Sequence, residues 1–472
     1  MKNLFDDTIC ALSTVEGKSA IAVIRVSGPK AIETVASIFV PKSEAPIEES
    51  PGYRVRFGSI YKGEELLDEV LVSLFRAPNS YTGEEMVEIS CHGSSYIQQE
   101  ILLLLVESGA RPARPGEFSQ RAFLNGKLDL AQAEAVADLI SSENEASHRI
   151  AINQMKGGFS KELAQMRSSL LDLVSLMELE LDFAEEDVEF ADRTHLRTLL
   201  DGVIDHIGTL IESFRYGNVI KNGIPIAIAG ATNTGKSTLL NNLLKEERAI
   251  VSDIHGTTRD YIEGYINIEG VGFRFIDTAG IRESSEQIEI IGIERTFKKI
   301  AEASIILLLL DGERPENFEA ATKQLASIVK RGQEVIVVLN KSDKLSPTLL
   351  EEELATIREV TQKYSLNHLG IVAISAKKGA GIEELQKLLL ENQRNYSGAS
   401  YSTLVSNIRH YDALREALFA LERVSEGMEQ ELSTELLTQD IREAITHLGE
   451  IVGAISTNEI LGNIFKNFCI GK

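Results

Sequence analysis

The chain contains no tryptophan, only three cysteines among 472 residues, and 6% aromatic residues. Cys10, Cys91 and Cys469 are too few and too scattered for a disulfide framework. None stands at zinc-ligand spacing from another cysteine or a histidine. That usage fits a reducing cytoplasm. Long apolar runs are also missing. Residues 101–106 and 305–310 are apolar but far shorter than the ~20 residues of a membrane span, so they read as buried strand or helix. The N-terminus, Met1-Lys2-Asn3-Leu4-Phe5-Asp6-Asp7, lacks the basic start and apolar middle of a signal peptide. Positive charge is in deficit: 48 Lys and Arg stand against 71 Asp and Glu, a net charge of -23. This argues against a broadly basic surface that grips nucleic acid unaided, and leaves room for a local groove or a partner that carries such contacts.

Proline is scarce and unevenly placed, with none in residues 116–224 and none in 348–472. Proline is strongly disfavoured inside helices, so these stretches invite a helical reading. Periodicity agrees. Leu163, Met166, Leu170, Leu173, Met177 and Leu181 recur at three- and four-residue steps, as do Ile441, Ile445, Leu448, Val452 and Ile455. Between them, short apolar runs at 226–230, 273–277, 305–311, 335–340 and 371–375 predict buried parallel strands. In the first part of the chain, 21–26 and 70–75 predict further strands. The expected fold is multidomain: an α+β N-terminal domain (1–118), an all-α helical domain built from two chain segments (119–217 and 383–472), and an inserted α/β P-loop GTPase domain (218–382).

The inserted segment carries the most specific chemistry. Gly230-Ala231-Thr232-Asn233-Thr234-Gly235-Lys236-Ser237 fits G-x-x-x-x-G-K-S between a predicted strand and a predicted helix. Its glycines let the backbone wrap phosphates, and the helix N-terminus attracts negative charge. Lys236 is expected at the β and γ phosphates, and the Ser237 hydroxyl on Mg²⁺. Thr234, Gly235 and Thr238 complete the loop's contacts. Asp277-Thr278-Ala279-Gly280 ends a second strand and places a carboxylate near the metal and a Gly N–H near the γ-phosphate. Asn340-Lys341-Ser342-Asp343 ends another, and Asp343 can accept two hydrogen bonds from guanine N1 and N2 that adenine does not offer. Ser375-Ala376-Lys377 can meet guanine O6 through backbone amides, and Thr258 supplies a switch ligand to Mg²⁺. Together these five motifs predict a GTP/GDP-binding hydrolase. Where Ras-like proteins place a water-orienting glutamine, this chain has Ile281. An apolar side chain does not align water, so that role must fall elsewhere; Glu283, Glu286 and Glu289 follow nearby. Asn233, inside the phosphate loop, offers an amide oxygen to a monovalent cation, or simply stabilises the loop.

Further strings lie outside this segment: Ile24-Arg25-Val26-Ser27-Gly28, Asn79-Ser80-Tyr81-Thr82-Gly83-Glu84, Ala113-Arg114-Pro115-Gly116-Glu117-Phe118-Ser119, Phe123-Leu124-Asn125-Gly126-Lys127-Leu128-Asp129-Leu130, and Phe468-Cys469-Ile470-Gly471-Lys472 at the end. With them the sequence resembles the MnmE (TrmE) family of tRNA-modification GTPases from end to end. The resemblance implies a K⁺-stimulated GTPase that modifies C5 of the wobble uridine of tRNAs. It works with an FAD-containing partner, MnmG (GidA), in a heterotetramer or larger complex. An aminomethyl or carboxymethylaminomethyl group is built there from a one-carbon unit of a tetrahydrofolate derivative, the 5-formyl or 5,10-methylene form. FAD belongs to the partner, since this chain lacks a dinucleotide fingerprint. The resemblance also implies a cytoplasmic homodimer formed through the N-terminal domain, with tRNA bound largely through the partner.

Residue by residue, the resemblance implies that Asn233, Ser252, Ile254 and Thr257 surround K⁺, and that Ser237 and Thr258 hold Mg²⁺. It makes Glu289 the group that orients the attacking water. Arg25, Glu88, Lys127 and Lys472 are implied in the folate pocket, which requires the end of the chain to return to the N-terminal domain. Ala231-Thr232 departs from the Arg-Pro frequent in the family but spares Asn233 and both glycines. Cys469 is open to two readings, a reactive thiol of that pocket or a packing element. Two other functions compete: a regulatory GTPase that binds RNA directly, and a folate enzyme whose nucleotide domain only gates the site.

Overall fold

The structure, a computed structural model, describes residues 6–43, 45–142, 144–183, 193–246, 264–276, 303–330, 332–391, 404–430, 432–455, 458–466, 468 and 471. The chain divides into two compact units. One comprises residues 1–140, 152–204 and 416–472, the other 141–151 and 205–415.

In the first unit, seven strands form one sheet: β1 (Ile9–Leu12), β2 (Ile21–Ser27), β3 (Phe39–Pro41), β4 (Arg54–Lys62), β5 (Glu65–Phe75), β6 (Met86–His92) and β7 (Arg111–Pro112). Their order is β3-β4-β5-β6-β2-β1-β7, antiparallel throughout except β1 with β7. Side chains alternate across a strand. Ala22, Ile24 and Val26 of β2 therefore enter the core with Val72, Leu74, Val87 and Ile89, under Ile101 and Leu105 of the helix Ser95–Glu107. Arg25 faces the other way, directly across from Glu88 of β6. The expected strand at 70–75 begins earlier, at Glu65.

The helical part of this unit joins both flanks of the chain. The helix Gly158–Phe183 packs on Thr434–Val452. Leu163, Met166, Leu170, Leu173 and Met177 are buried on one side, Ile441, Ile445 and Leu448 on the other. Each such side chain contributes roughly 2 kcal/mol of apolar burial, which decides the pairing over the exposed Arg442–Glu178 ion pair at its edge. Ile455 departs from the predicted stripe. The helix stops at Val452 with Gly453 in the left-handed conformation, so Ile455 lies beyond it and is exposed.

In the second unit, six strands are ordered β13-β12-β11-β8-β10-β9. They are β8 (Ile224–Ala229), β9 (Gly264–Ile268), β10 (Val271–Phe275), β11 (Ile305–Asp311), β12 (Glu334–Asn340) and β13 (Gly370–Ala373). All pairs are parallel except β9 with β10. Parallel strands covered on both faces read as unbroken apolar runs, and every residue of β11 is buried. One face packs under Leu239 and Leu243 of the helix Lys236–Glu246 and under Ile382 and Leu385. Phe318, Leu325 and Ile357 cover the other. This is the doubly wound arrangement expected of the inserted α/β domain, and its strands end together at the edge where ligands bind such sheets.

Candidate nucleotide and tail sites

At the end of β8 the chain turns through Gly230 and Asn233 into the helix that starts at Lys236. Gly230 has φ 153° and Gly235 φ 98°. A Cβ at Gly230 would stand 2.4 Å from the Leu309 carbonyl, and one at Gly235 2.2 Å from Asn340 Nδ2. Both positions are therefore closed to side chains, and the loop forms the bare backbone cradle that phosphates need. Thr234 Oγ1 donates to the Ala231 carbonyl at 3.0 Å, closing the loop on itself. Lys236 Nζ donates to the Gly230 and Ala231 carbonyls at 2.8 and 2.7 Å, and burial lowers its pKa. Asn233 is exposed at the apex with φ 66°. Ser237 is half-buried at the helix start, and Thr238 is exposed. The loop's shape fits a nucleotide's phosphates, and Ser237 supplies the hydroxyl that Mg²⁺ at such a loop requires.

Asn340 joins this loop to the base-recognition segments. Its Nδ2 donates to the Thr234 carbonyl at 2.7 Å, while its Oδ1 accepts from the Ala376 amide at 2.9 Å. Asn242 Nδ2 donates to the carbonyl of the same residue, Ala376, at 2.9 Å. Asp343 Oδ1 accepts from Ser375 Oγ at 2.8 Å, and Lys378 lies 3.3 Å from its other oxygen. The Ser375 hydroxyl and Lys378 hold the Asp343 carboxyl below its ordinary range, leaving it an ionised acceptor. The Ala376 amide, expected at guanine O6, is already engaged by Asn340. Lys341 turns away to Asp311 Oδ2 at 2.7 Å and Glu313 Oε2 at 3.1 Å, and Lys377 is exposed. Asn242 and Asp311 hold this site without belonging to any motif read in the sequence.

Of the residues expected in a folate pocket, those of the first unit that are described are partly brought together. Arg25 Nε and Nη2 donate to Glu88 Oε1 at 3.0 and 2.7 Å. Its Nη1 donates to the carbonyl of Gly471 at 3.2 Å, which also accepts from Ser13 Oγ at 3.2 Å. The tail at Gly471 thus lies against Ser13, just past β1, and Arg25 of β2. Leu461 and Phe465 carry it there by burying against Leu130 and Ala133, with Phe123 and Phe468 packed alongside. A Cβ at Gly471 would meet the Leu12 carbonyl at 2.2 Å, so glycine is required for that approach. The Arg25 guanidinium lies over Tyr81 and Phe118, 5.2 and 5.6 Å from their centroids, and Tyr81 hydrogen-bonds Ser119 at 2.8 Å. Lys127 does not join this pair directly. Its amine donates to the Pro78 carbonyl at 2.9 Å, and its stem lines Gly83. Both cations therefore flank the loop that holds Tyr81. An acidic acceptor, two cations and aromatic faces suit a ligand with a pterin N–H edge and glutamate carboxylates.

Ser252, Ile254, Thr257, Thr258, Asp277, Thr278, Ala279, Gly280, Ile281, Glu283, Glu286, Glu289, Cys469 and Lys472 lie outside the described residues. Cys10 and Cys91 are buried, and burial pushes both thiols up to about 11. Among the described residues, no helix is long and apolar enough to cross a membrane.

The family described as "GTP-binding protein TrmE N-terminus" matches residues 8–127, and "MnmE helical domain" matches 130–469. The tRNA modification GTPase MnmE of Bacteroides thetaiotaomicron is 52% identical over 470 residues, covering 99% of each chain. The proteins of the same name from Flavobacterium johnsoniae and Christiangramia forsetii are 52% and 50% identical, each over 99% of both chains. The chain belongs to the MnmE (TrmE) family of tRNA-modification GTPases and hydrolyses GTP.

Proposed function

We propose that the chain is a K⁺-stimulated GTPase serving modification at C5 of the wobble uridine of tRNAs, together with an FAD-containing partner of the MnmG (GidA) kind. The added aminomethyl or carboxymethylaminomethyl group draws its one-carbon unit from a tetrahydrofolate derivative. The observation that carries this reading is the Gly471 carbonyl on Arg25, beside the Arg25–Glu88 pair. It sets Gly471 against the residues suited to folate, and so supports the tail as part of that pocket. A bound tetrahydrofolate would supply the one-carbon unit. Glu88 would accept from the pterin edge, Arg25 and Lys127 would meet its carboxylates, and Tyr81 would support Arg25 from below. Lys472 and Cys469 are proposed to complete the pocket.

On the nucleotide side, Gly230–Gly235 backbone and Lys236 would hold the phosphates, Ser237 and Thr258 Mg²⁺, and Asn340, Asp343 and Ser375–Lys377 the guanine. Asn233, with Ser252, Ile254 and Thr257, would hold K⁺ where charge develops during hydrolysis. Glu289 would orient the attacking water. A cytoplasmic homodimer through the N-terminal domain is part of the same reading, with domain limits near residues 118, 217 and 382. The test combines the purified chain, the FAD-containing partner, unmodified tRNA, GTP, ammonium or glycine as the amine source, and a 5,10-methylenetetrahydrofolate donor labelled at its one-carbon unit. Mass spectrometry of the digested tRNA should find the label on the wobble uridine. Active GTP turnover without labelled nucleoside would overturn the reading.

A further inference from the structure

β11 and β12 run side by side with Asp311 opposite Asn340, and the Gly312 amide donates to the Asn340 carbonyl at 3.0 Å. The Asp311 side chain is 6% exposed, and its Oδ1 accepts from the Glu313 amide at 3.1 Å. Its other oxygen takes Lys341 Nζ at 2.7 Å. Lys341 has φ 65° and ψ 30°, a left-handed conformation that side chains other than glycine and asparagine rarely adopt. This residue makes the turn between Asn340, which points inward to the Thr234 carbonyl, and Asp343, which points outward to Ser375. The relative direction of these two side chains therefore depends on the backbone at Lys341. A charge-assisted bond from a buried carboxylate is strong enough to offset the cost of a left-handed residue.

We infer that Asp311 is a positioning residue for guanine recognition, acting through Lys341 to hold the turn that aims Asp343 at the base. The inference rests on the reading of Asn340–Asp343 as the guanine site. Asp311 acts through its contact with Lys341. Its carboxylate anchors the Lys341 amine, and the exposed Glu313, 3.1 Å from the same amine and 2.7 Å from Lys344, steadies the pair from outside. Neutralising Asp311 leaves the Lys341 amine with the exposed Glu313 alone and lets Lys341 leave its left-handed conformation. Asp343 then loses its aim at guanine N1 and N2, while the phosphate loop keeps its own hydrogen bonds.

The test uses the full chain and a fluorescent GDP analogue, competed with GDP, IDP and ADP. IDP lacks the 2-amino group that Asp343 would bind, so the ratio of IDP to GDP dissociation constants reads the aim of Asp343. The parent protein should prefer GDP to both competitors. If it does not, the guanine-site reading itself fails. Asp311→Asn should weaken GDP about tenfold, the size of a lost charge-assisted bond, and bring the IDP to GDP ratio towards one. Asp311→Ser keeps an acceptor for the Glu313 amide and serves if the Asn variant does not fold. In a Lys341→Met background the same Asp311 change should have little further effect, because the two act as one unit. A parent-like IDP to GDP ratio in a folded Asp311 variant would overturn the inference. So would an undiminished effect of Asp311→Asn in the Lys341→Met background.

Discussion

Asn340 Nδ2 donates to the carbonyl of Thr234 at 2.7 Å, across 106 positions of sequence. Through this one side chain the loop that suits phosphates and the strand end that suits guanine share a fixed geometry. The bond is buried, so breaking it costs more than the roughly 1 kcal/mol a typical hydrogen bond contributes. It would also strand the Thr234 carbonyl and the Ala376 amide.

Gly235→Ala is expected to separate the two halves. Its Cβ would fall 2.2 Å from Asn340 Nδ2, at a φ of 98° that alanine resists. A combined cost of about 3 kcal/mol corresponds to a loss of roughly a hundredfold in GDP affinity. Fluorescent-GDP titration reads this directly, with circular dichroism to verify the fold.

The ion cluster around Arg121 should make the first unit sensitive to acid. Arg121 is buried and bonded to Asp7 at 2.7 Å, Glu84 at 3.1 Å and Glu117 at 3.2 Å. Burial alone would raise the Glu117 pKa, but hydrogen bonds from Arg111 and the Arg114 amide, with the nearby charges, hold it below its ordinary 4.5. Asp7 is depressed in the same way against its own burial. A depressed folded-state pKa adds stability above the unfolded value and loses it as pH falls through the folded one. Melting temperature should therefore decline as pH drops below about 4.5, and Glu117→Gln should flatten that decline. Arg121→Met, which leaves Glu84 without its cation and Asp7 and Glu117 with Arg111 alone, should cost about 3 kcal/mol at neutral pH, measured by urea denaturation.

Arg25→Ala should release the tail. It removes the charged donor to Gly471, leaving that carbonyl to Ser13, and leaves Glu88 without its cation. Calorimetric titration with 5-formyltetrahydrofolate should show affinity falling at least about tenfold, and limited proteolysis should clip the C-terminus faster. Unchanged affinity would remove Arg25 from the pocket.

Much of the second unit was legible because parallel strands buried on both faces are written as apolar runs. The predicted 305–311 run coincides with β11, and 335–340 falls within β12. The phosphate loop was legible because its glycines are required by backbone approach, not by preference. β9 escaped notice. Its two-residue turn to β10 is Glu269-Gly270, both at positive φ, where Asn-Gly would have advertised a hairpin. Asp311 and Asn242 also escaped, since a residue that holds a motif from another element leaves no local pattern. The Arg25–Glu88 pair needed the β2–β6 register as well as the side chains. The requirement that the tail return to the N-terminal domain came from the resemblance, and the route, through Phe465 and Leu461, came from packing.

Steady-state GTP turnover in K⁺ against Na⁺, with Asn233→Ala and Glu289→Ala alongside, tests the account most directly. Asn233 stands exposed at the loop apex, its backbone at φ 66°. Turnover in K⁺ should exceed that in Na⁺ by on the order of tenfold or more, and both substitutions should abolish the stimulation while GDP still binds. Equal turnover in the two salts, insensitive to Asn233, would contradict cation-assisted hydrolysis.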